Sequence, residues 1–481
     1  MQTIDQTPLF KQACYANGQW VTTAETIAVQ NPASQECIGT IPSFTVEQVN
    51  ECVEHAHQAM KSWSALTAKQ RAKIMLRWFN LIEEHADELA LIMTQEQGKP
   101  LKEARGEILY AASFIEWFAE EGKRVYGETI PQTVATNRLT TIKQPVGVCS
   151  AITPWNFPAA MITRKAAPAL AAGCSFIVKP ATETPFTALA LAELADQAGI
   201  PAGVFNVVTG PSRALGEVLT QHEKISKFSF TGSTPVGRVL QAQCSSTMKK
   251  TSMELGGNAP FIVFEDADIE KAVAGGMAAK FRNGGQTCVC VNRFYVHTDV
   301  YDQFVIRFAE HVRALKVGDG MAKGVDIGPM ITTKAIMDMT RLLDDALEKG
   351  AKELACADAP QGNNYFAPRV LVDVNEDMAI VQEEIFGPIA TIIRFDSEED
   401  VIRQANDTIY GLAAYFFSND VRRVYRVAEA LESGMIGINT GLISNEVAPF
   451  GGVKQSGLGK EGSRYGIEDY LKVKYLCVDI A

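Results

Sequence analysis

Strand-then-helix signals alternate four times between Val146 and Gly237, and a second series of the same kind begins at Pro260. Together they predict an α/β fold, with a doubly wound parallel sheet first and a second α/β block after it. The 481 residues are too many for one core and agree with two or three domains. A third observation is the extended run Arg138–Val146, which reads as a β hairpin arm outside both blocks.

The elements follow in order. Residues 1–45 read as short strands broken by the turn signals Asn17-Gly18 and Asn31-Pro32. From Thr45 to about Val125 the apolar spacing becomes helical: Val46, Val49, Val53 and Ala56, then Ile74, Trp78, Leu81 and Ile82, then Leu101 to Ala119. The βα series starts with the strand Val146–Ile152, which ends at Thr153-Pro154-Trp155-Asn156-Phe157-Pro158, and the helix Met161–Ala172. Next come the strand Ser175–Val178 ending at Lys179-Pro180, the helix Thr187–Ala198, and the strand Val204–Val208 ending at Thr209-Gly210. A helix to Thr220 precedes the strand Lys227–Phe230, which ends at Thr231-Gly232-Ser233-Thr234-Pro235-Val236-Gly237. Ligands of such sheets sit at the carboxyl ends of the strands, where these motifs fall. In the second block we expect strands at Pro260–Phe264, Arg293–His297, Asp377–Val381 and Ile389–Phe395, helices at Ile269–Arg282, Tyr301–Leu315 and Lys334–Lys349, and a final strand at Tyr470–Val478.

Composition removes several function classes. A net charge of −11 argues against a nucleic-acid or anionic-membrane surface. No apolar run reaches the ~18 residues of a membrane span, and the polar start Met1–Lys11 lacks a signal-peptide core. Ten cysteines without framework spacing read as reduced thiols of a cytoplasmic protein. Cys52, His55 and His57 lie close together without a second ligand cluster, so no metal site is expected.

Five motifs carry chemistry. Cys288 lies in Gly284-Gly-Gln-Thr-Cys-Val-Cys290 and becomes a nucleophile if its thiolate is favoured locally; otherwise it is a small packed residue. The glycines allow close substrate approach and free amides for an oxyanion. Asn156, between two prolines, is a candidate oxyanion donor, against its common use as a turn residue. Glu254 in Met-Glu-Leu-Gly-Gly-Asn is a candidate base raised by desolvation, against a paired structural acid. Gly232 to Gly237 at a strand–helix junction suits pyrophosphate, against a plain tight turn, and Lys179 suits ribose or phosphate oxygens. No histidine lies within eight residues of Cys288, although a distant partner such as His222 stays open.

Seven motifs in the same order resemble the aldehyde dehydrogenase superfamily: Thr153–Pro158, Lys179-Pro180, Phe230–Ser233, Glu254–Gly257, Gly285–Cys288, Glu384-Ile-Phe-Gly-Pro388 and Pro449-Phe-Gly-Gly452. The resemblance implies a dinucleotide-binding domain at 1–123 and 146–256, a catalytic domain at 257–455, and an oligomerisation arm at 124–145 and 456–481, hence a homodimer or homotetramer. It implies that Cys288 attacks an aldehyde, that Asn156 and the Cys288 amide hold the oxyanion, and that Glu254 activates water. It further implies cofactor contacts from Thr153, Pro154, Trp155, Lys179, Thr182, Gly210, Phe230, Gly232, Ser233, Val236, Leu255, Glu384 and Phe386. An acid near position 182 would select NAD; Thr182 is neutral and Lys179 positive, so NADP is expected to be preferred, with NAD possible. Within the superfamily the chain is most similar to the succinate-semialdehyde dehydrogenases, through Ile162–Lys165, Lys280–Asn283, Cys288-Val-Cys290 and Gly441–Pro449. That likeness implies a semialdehyde whose far carboxylate is held by Arg164, Arg282 and Ser444. Glutarate semialdehyde, or a cofactor-independent thiol esterase, is the alternative. Cys290 is a candidate redox partner of Cys288, through a strained disulfide.

Overall fold

The computed structural model describes residues 4–481; Met1–Thr3, part of the polar start, lie outside the described residues. Its first sheet has eight strands in the order Gly457–Leu458, Lys250–Glu254, Ile225–Thr231, Val148–Ile152, Ser175–Lys179, Phe205–Val207, Cys14–Ala16, Gln19–Val21. The five from Lys250–Glu254 to Phe205–Val207 are parallel and the outer strands antiparallel. Alternate residues along these strands enter two different cores. Cys149, Ala151, Phe176 and Val178 pack with the helices Ala68–Glu84, Leu101–Glu121, Ala160–Ala172 and Phe186–Gln197. Val148, Ile177, Phe228 and Phe230 pack with Val46–Ala65, Ser212–Gln221 and Thr234–Cys244. Helices on both faces explain why the strands read as continuous apolar runs.

The chain lays down Val148–Ile152, Ser175–Lys179 and Phe205–Val207 in one direction, then returns to add Ile225–Thr231 and Lys250–Glu254 on the other side. The reversal lies between Val148–Ile152 and Ile225–Thr231, and a crevice opens at their carboxyl ends. Thr153–Asn156 and Thr231–Ser233 follow those two strands directly.

A second sheet has seven strands, in the order Lys352–Cys356, Arg369–Val372, Ile389–Phe395, Val291–His297, Ala259–Val263, Ala413–Phe417, Met435–Ile438. The strand expected at Asp377–Val381 is not there: Ala379–Gln382 is a helical turn, and Arg369–Val372 pairs with Ile389–Phe395 instead. Leu471–Asp479 pairs along its full length with Asn137–Pro145, which also pairs with Thr129–Ile130. This three-stranded arm leaves Val473, Tyr475 and Val478 exposed. Gly457–Leu458, within the segment expected in the arm, forms instead the edge of the eight-stranded sheet. Among the described residues no helix is long and apolar enough to cross a membrane.

Candidate active site

Helix Ile269–Phe281 delivers the chain to Arg282, after which Asn283, Gly284 and Gly285 all take positive φ, at 51°, 63° and 78°. A Cβ on Gly284 would lie 2.8 Å from Met330 Cε, and one on Gly285 would collide with the Gly387 carbonyl. Packing against the Met330 side chain and the Gly387 carbonyl therefore calls for glycine at both positions. Asn283, the residue with a side chain, is fixed by bonds. Its amide donates to Glu103 at 2.9 Å, its Nδ2 donates to the Asn156 carbonyl at 3.0 Å, and its Oδ1 accepts from Gln97 at 3.1 Å.

From this turn Cys288 reaches a cavity of about 250 Å³ at the seam of the two sheets. Asn156 enters it from the first sheet's reversal point and Glu254 from the end of strand Lys250–Glu254. The two halves meet main chain to main chain, because a Cβ on Gly257 would strike the Cys288 carbonyl. Asn156 Nδ2 donates to the Gln286 carbonyl at 2.9 Å, which leaves its second N–H for another acceptor. The Asn156 carbonyl is held by Lys99 Nζ at 2.7 Å, and Lys99 pairs with Glu107 at 2.5 Å in full burial. Glu107 also accepts from the Ala159 and Ala160 amides at the start of helix Ala160–Ala172.

Burial dominates the electrostatics. Desolvation pushes the Cys288 thiol up to about 12, with Arg164 opposing and Glu384 and Glu254 adding. Desolvation also raises the Glu254 carboxyl well above the usual carboxylate range, with Glu461 adding and Arg164 and Lys165 opposing. Both Glu254 oxygens lack a hydrogen-bond partner among the described residues. A half-buried thiol and a buried carboxylate thus line one cavity, an arrangement that can supply a nucleophile and an acceptor for its proton.

The first sheet supplies the other wall. Pro154, Trp155, Gly232, Ser233 and Leu255 line the cavity from it, and Glu384 and Phe386 join them from the loop before strand Ile389–Phe395 of the second sheet, with Trp155 edge-on to Phe386 at 5.6 Å. Glu384 accepts from the Gly257 amide at 2.9 Å, and burial raises its carboxyl to about 7. Thr153, Lys179, Thr182, Gly210, Phe230 and Val236 lie outside this cavity. Thr153 Oγ1 is buried without a hydrogen-bond partner among the described residues, Phe230 is in the core, and Val236 is half exposed on helix Thr234–Cys244. Gly210 has no room for a Cβ against Leu215 and Phe44, so packing accounts for it. Lys179 Nζ is buried, donates to the Pro180 carbonyl at 3.2 Å, and falls to about 8 through desolvation, with Glu183 opposing. These residues fit a dinucleotide. Helix Thr234–Cys244 begins without a side-chain cap at Ser233, so no Ser233 oxygen competes with an anion at its first turn, where Pro235 itself carries no amide N–H.

A profile of the Aldehyde dehydrogenase family matches residues 20–476. The chain belongs to the aldehyde dehydrogenase family. It is 58% identical to a succinate-semialdehyde dehydrogenase [NADP(+)] of Escherichia coli, over 99% of this chain and 100% of that one. It is 56% identical to a glutarate-semialdehyde dehydrogenase of Pseudomonas putida, over 98% of both. The crystal structure of an E. coli NADP-dependent enzyme superposes with a TM-score of 0.97 at 58% identity, over 98% of both chains.

Arg164, Arg282 and Ser444 line the same cavity as Cys288 in this family member. Arg164 is not a free guanidinium: it lies 3.0 Å from Glu461, between Phe450 at 3.9 Å and Phe114 at 5.6 Å. Its Nη2 is the atom that faces Glu461, while Nε makes no hydrogen bond among the described residues and remains as a donor. Glu461 also takes Lys165 at 2.7 Å. Arg282 stacks 4.8 Å over the Phe157 ring. Cys290, the candidate disulfide partner, is a buried free thiol set 3.4 Å from the Lys280 carbonyl, away from the cavity lining. Sequence reading missed Lys99, Glu107, Glu461 and Tyr415, whose hydroxyl donates to the Val289 carbonyl at 2.9 Å. Lys99 sits 57 positions before Asn156, and only the unusual Gly98-Lys99-Pro100 punctuation could have flagged it.

Proposed function

We propose that this protein oxidises succinate semialdehyde to succinate with NADP, and less efficiently with NAD, through a covalent intermediate on Cys288. The observation that carries the reading is one cavity holding Cys288, Glu254 and Asn156 together with two arginines. The relatives named for carboxylate-bearing semialdehydes support it. In the first step Cys288 Sγ bonds to the aldehyde carbon and its proton passes to Glu254. The resulting oxyanion takes the free N–H of Asn156 and the Cys288 amide, donors already fixed before the charge develops. Glu384 and Phe386 would hold a nicotinamide and the start of helix Thr234–Cys244 would take the phosphates of the same cofactor, which would supply the hydride acceptor. Glu254 passes the Cys288 proton to solvent, and on the thioester that remains it takes a second one from water as the water oxygen bonds to the carbonyl. The C–S bond then breaks, releasing the acid and the Cys288 thiolate. Arg164, Arg282 and Ser444 hold the substrate's far carboxylate, where forked guanidinium donors match its geometry.

Glutarate semialdehyde is the second reading, favoured by the 56% identical relative named for it. One methylene shifts binding by only ~1–3 kcal/mol. The test is kcat/KM for both semialdehydes, butanal and an aromatic aldehyde, each with NADP and NAD. Highest efficiency with an uncharged aldehyde would remove the substrate assignment. We propose the arm of Asn137–Pro145 and Leu471–Asp479 as the oligomer contact, giving a dimer or tetramer in the cytoplasm.

A further inference from the structure

We propose that the Tyr110 hydroxyl is a third donor to the substrate's far carboxylate, alongside Arg164 and Arg282. The inference rests on the semialdehyde reading above. Tyr110 lies on helix Leu101–Glu121, where Glu103, Glu107, Tyr110 and Phe114 recur at helical spacing and share a face. Two of these residues anchor that face to the catalytic loops, Glu103 through the Asn283 amide and Glu107 through Lys99 and the Ala159 amide. The Tyr110 ring is set edge-on to Phe114 at 4.9 Å. Its position is therefore fixed by the same bonds that fix Asn156.

Tyr110 lines the cavity, yet its oxygen is buried and has no hydrogen-bond partner among the described residues. Buried hydroxyls are almost always bonded, so an orphan facing a cavity marks a ligand contact. The neighbouring charges decide which ligand. The two cations acting on the hydroxyl are Arg164 and Arg282. Guanidinium groups offer donors only, so they cannot take the phenolic proton. Glu461, the acid facing this group, is already engaged by Arg164 and Lys165. Burial raises the phenol further above its ordinary range, so it stays a donor at neutral pH. Three donor groups around one space want an acceptor with several lone pairs, which is what a carboxylate offers.

The test is Tyr110→Phe, assayed with succinate semialdehyde and with butanal, and with succinate as competitive inhibitor. Phenylalanine keeps the contact with Phe114, and butanal turnover reports on the nucleophile and base independently. The expected result is a loss of about 10-fold or more in kcat/KM for the semialdehyde, carried by KM, as for a hydrogen bond to a charged group. The inhibition constant of succinate should rise by a similar factor, with butanal unchanged. A wild type that favours the semialdehyde, with the same preference kept in Tyr110→Phe, overturns this inference alone; so do equal losses on both aldehydes. A wild type that does not favour the semialdehyde over butanal overturns the functional reading and the inference together.

Discussion

Arg164 and Arg282 should respond differently to the same truncation, because only one of them is wired into the protein. Arg282 rests on the Phe157 ring and no acid pairs with it among the described residues. Arg282→Ala therefore removes a donor for the substrate and little else. A charge-assisted hydrogen bond contributes ~1.5–3 kcal/mol, or roughly 10- to 150-fold in kcat/KM. We expect that loss for succinate semialdehyde, a loss several-fold smaller for butanal, and an almost unchanged melting temperature. Arg164→Ala removes a substrate donor, the packing between Phe114 and Phe450, and one of the two cations on buried Glu461. Removing one partner of a buried pair costs ~3–5 kcal/mol; Lys165 remains at 2.7 Å, so the low end, about 3 kcal/mol, applies. Arg164→Ala should then melt earlier and lose activity toward every aldehyde. Steady-state kinetics on both aldehydes, with calorimetric melting of each variant, provides the comparison. If Arg282→Ala lost the same factor on butanal as on the semialdehyde, its assignment to the carboxylate would be wrong.

Three further outcomes follow from the site. Cys288→Ala should abolish both dehydrogenase and esterase activity, whereas Glu254→Gln should slow both the first reduction of cofactor and the steady state, the latter on the order of 100-fold; full turnover by the alanine variant would end the covalent scheme. NADP should be preferred on kcat/KM, and its KM should climb as pH rises through about 8, where Lys179 loses its proton, while the KM for NAD moves less; a strong NAD preference would contradict the role given to Lys179. Lys99→Met should lower kcat by roughly 10-fold, less than the 10²–10³ of deleting an oxyanion donor outright, with KM nearly constant, because Lys99 acts through the Asn156 carbonyl rather than on substrate; a change in KM alone would count against this.

Local signals located the parts of the site, and long-range bonds that sequence does not display hold them together. The strand ends at Ile152 and Thr231 were legible because apolar runs stop there at Thr-Pro and Thr-Gly, and the reversal in strand order then brings both motifs to one crevice. The strand expected at Asp377–Val381 failed for a definable reason. Met378-Ala-Ile-Val is four residues of apolar chain, too short for period to separate strand from helix. The Asp345 carboxylate accepts from the Ala379 amide at 2.8 Å and stabilises the helical start. Arg164 was found as a cavity residue, but its partner Glu461 lies some three hundred positions away and nothing near either residue predicts the pair. The same holds for Lys99 and Asn156, where the bond runs to a backbone carbonyl and leaves no side-chain signature.

The close passage of Gly257 against the Cys288 carbonyl, and of Gly285 against that of Gly387, divides the cavity into two kinds of ground. Where main chain abuts main chain, no substitution short of glycine itself keeps the nucleophile in register, so this half is closed to drift. At the far end the lining is side chains, Tyr110, Arg282 and Ser444 among them, whose tips can be exchanged while the backbone that carries Cys288 keeps its place. A lineage, or a library of variants, can therefore change which aldehyde is recognised while the chemistry stays in place. Relatives that are 58% and 56% identical to this chain yet carry names for different semialdehydes are what such a partition would produce.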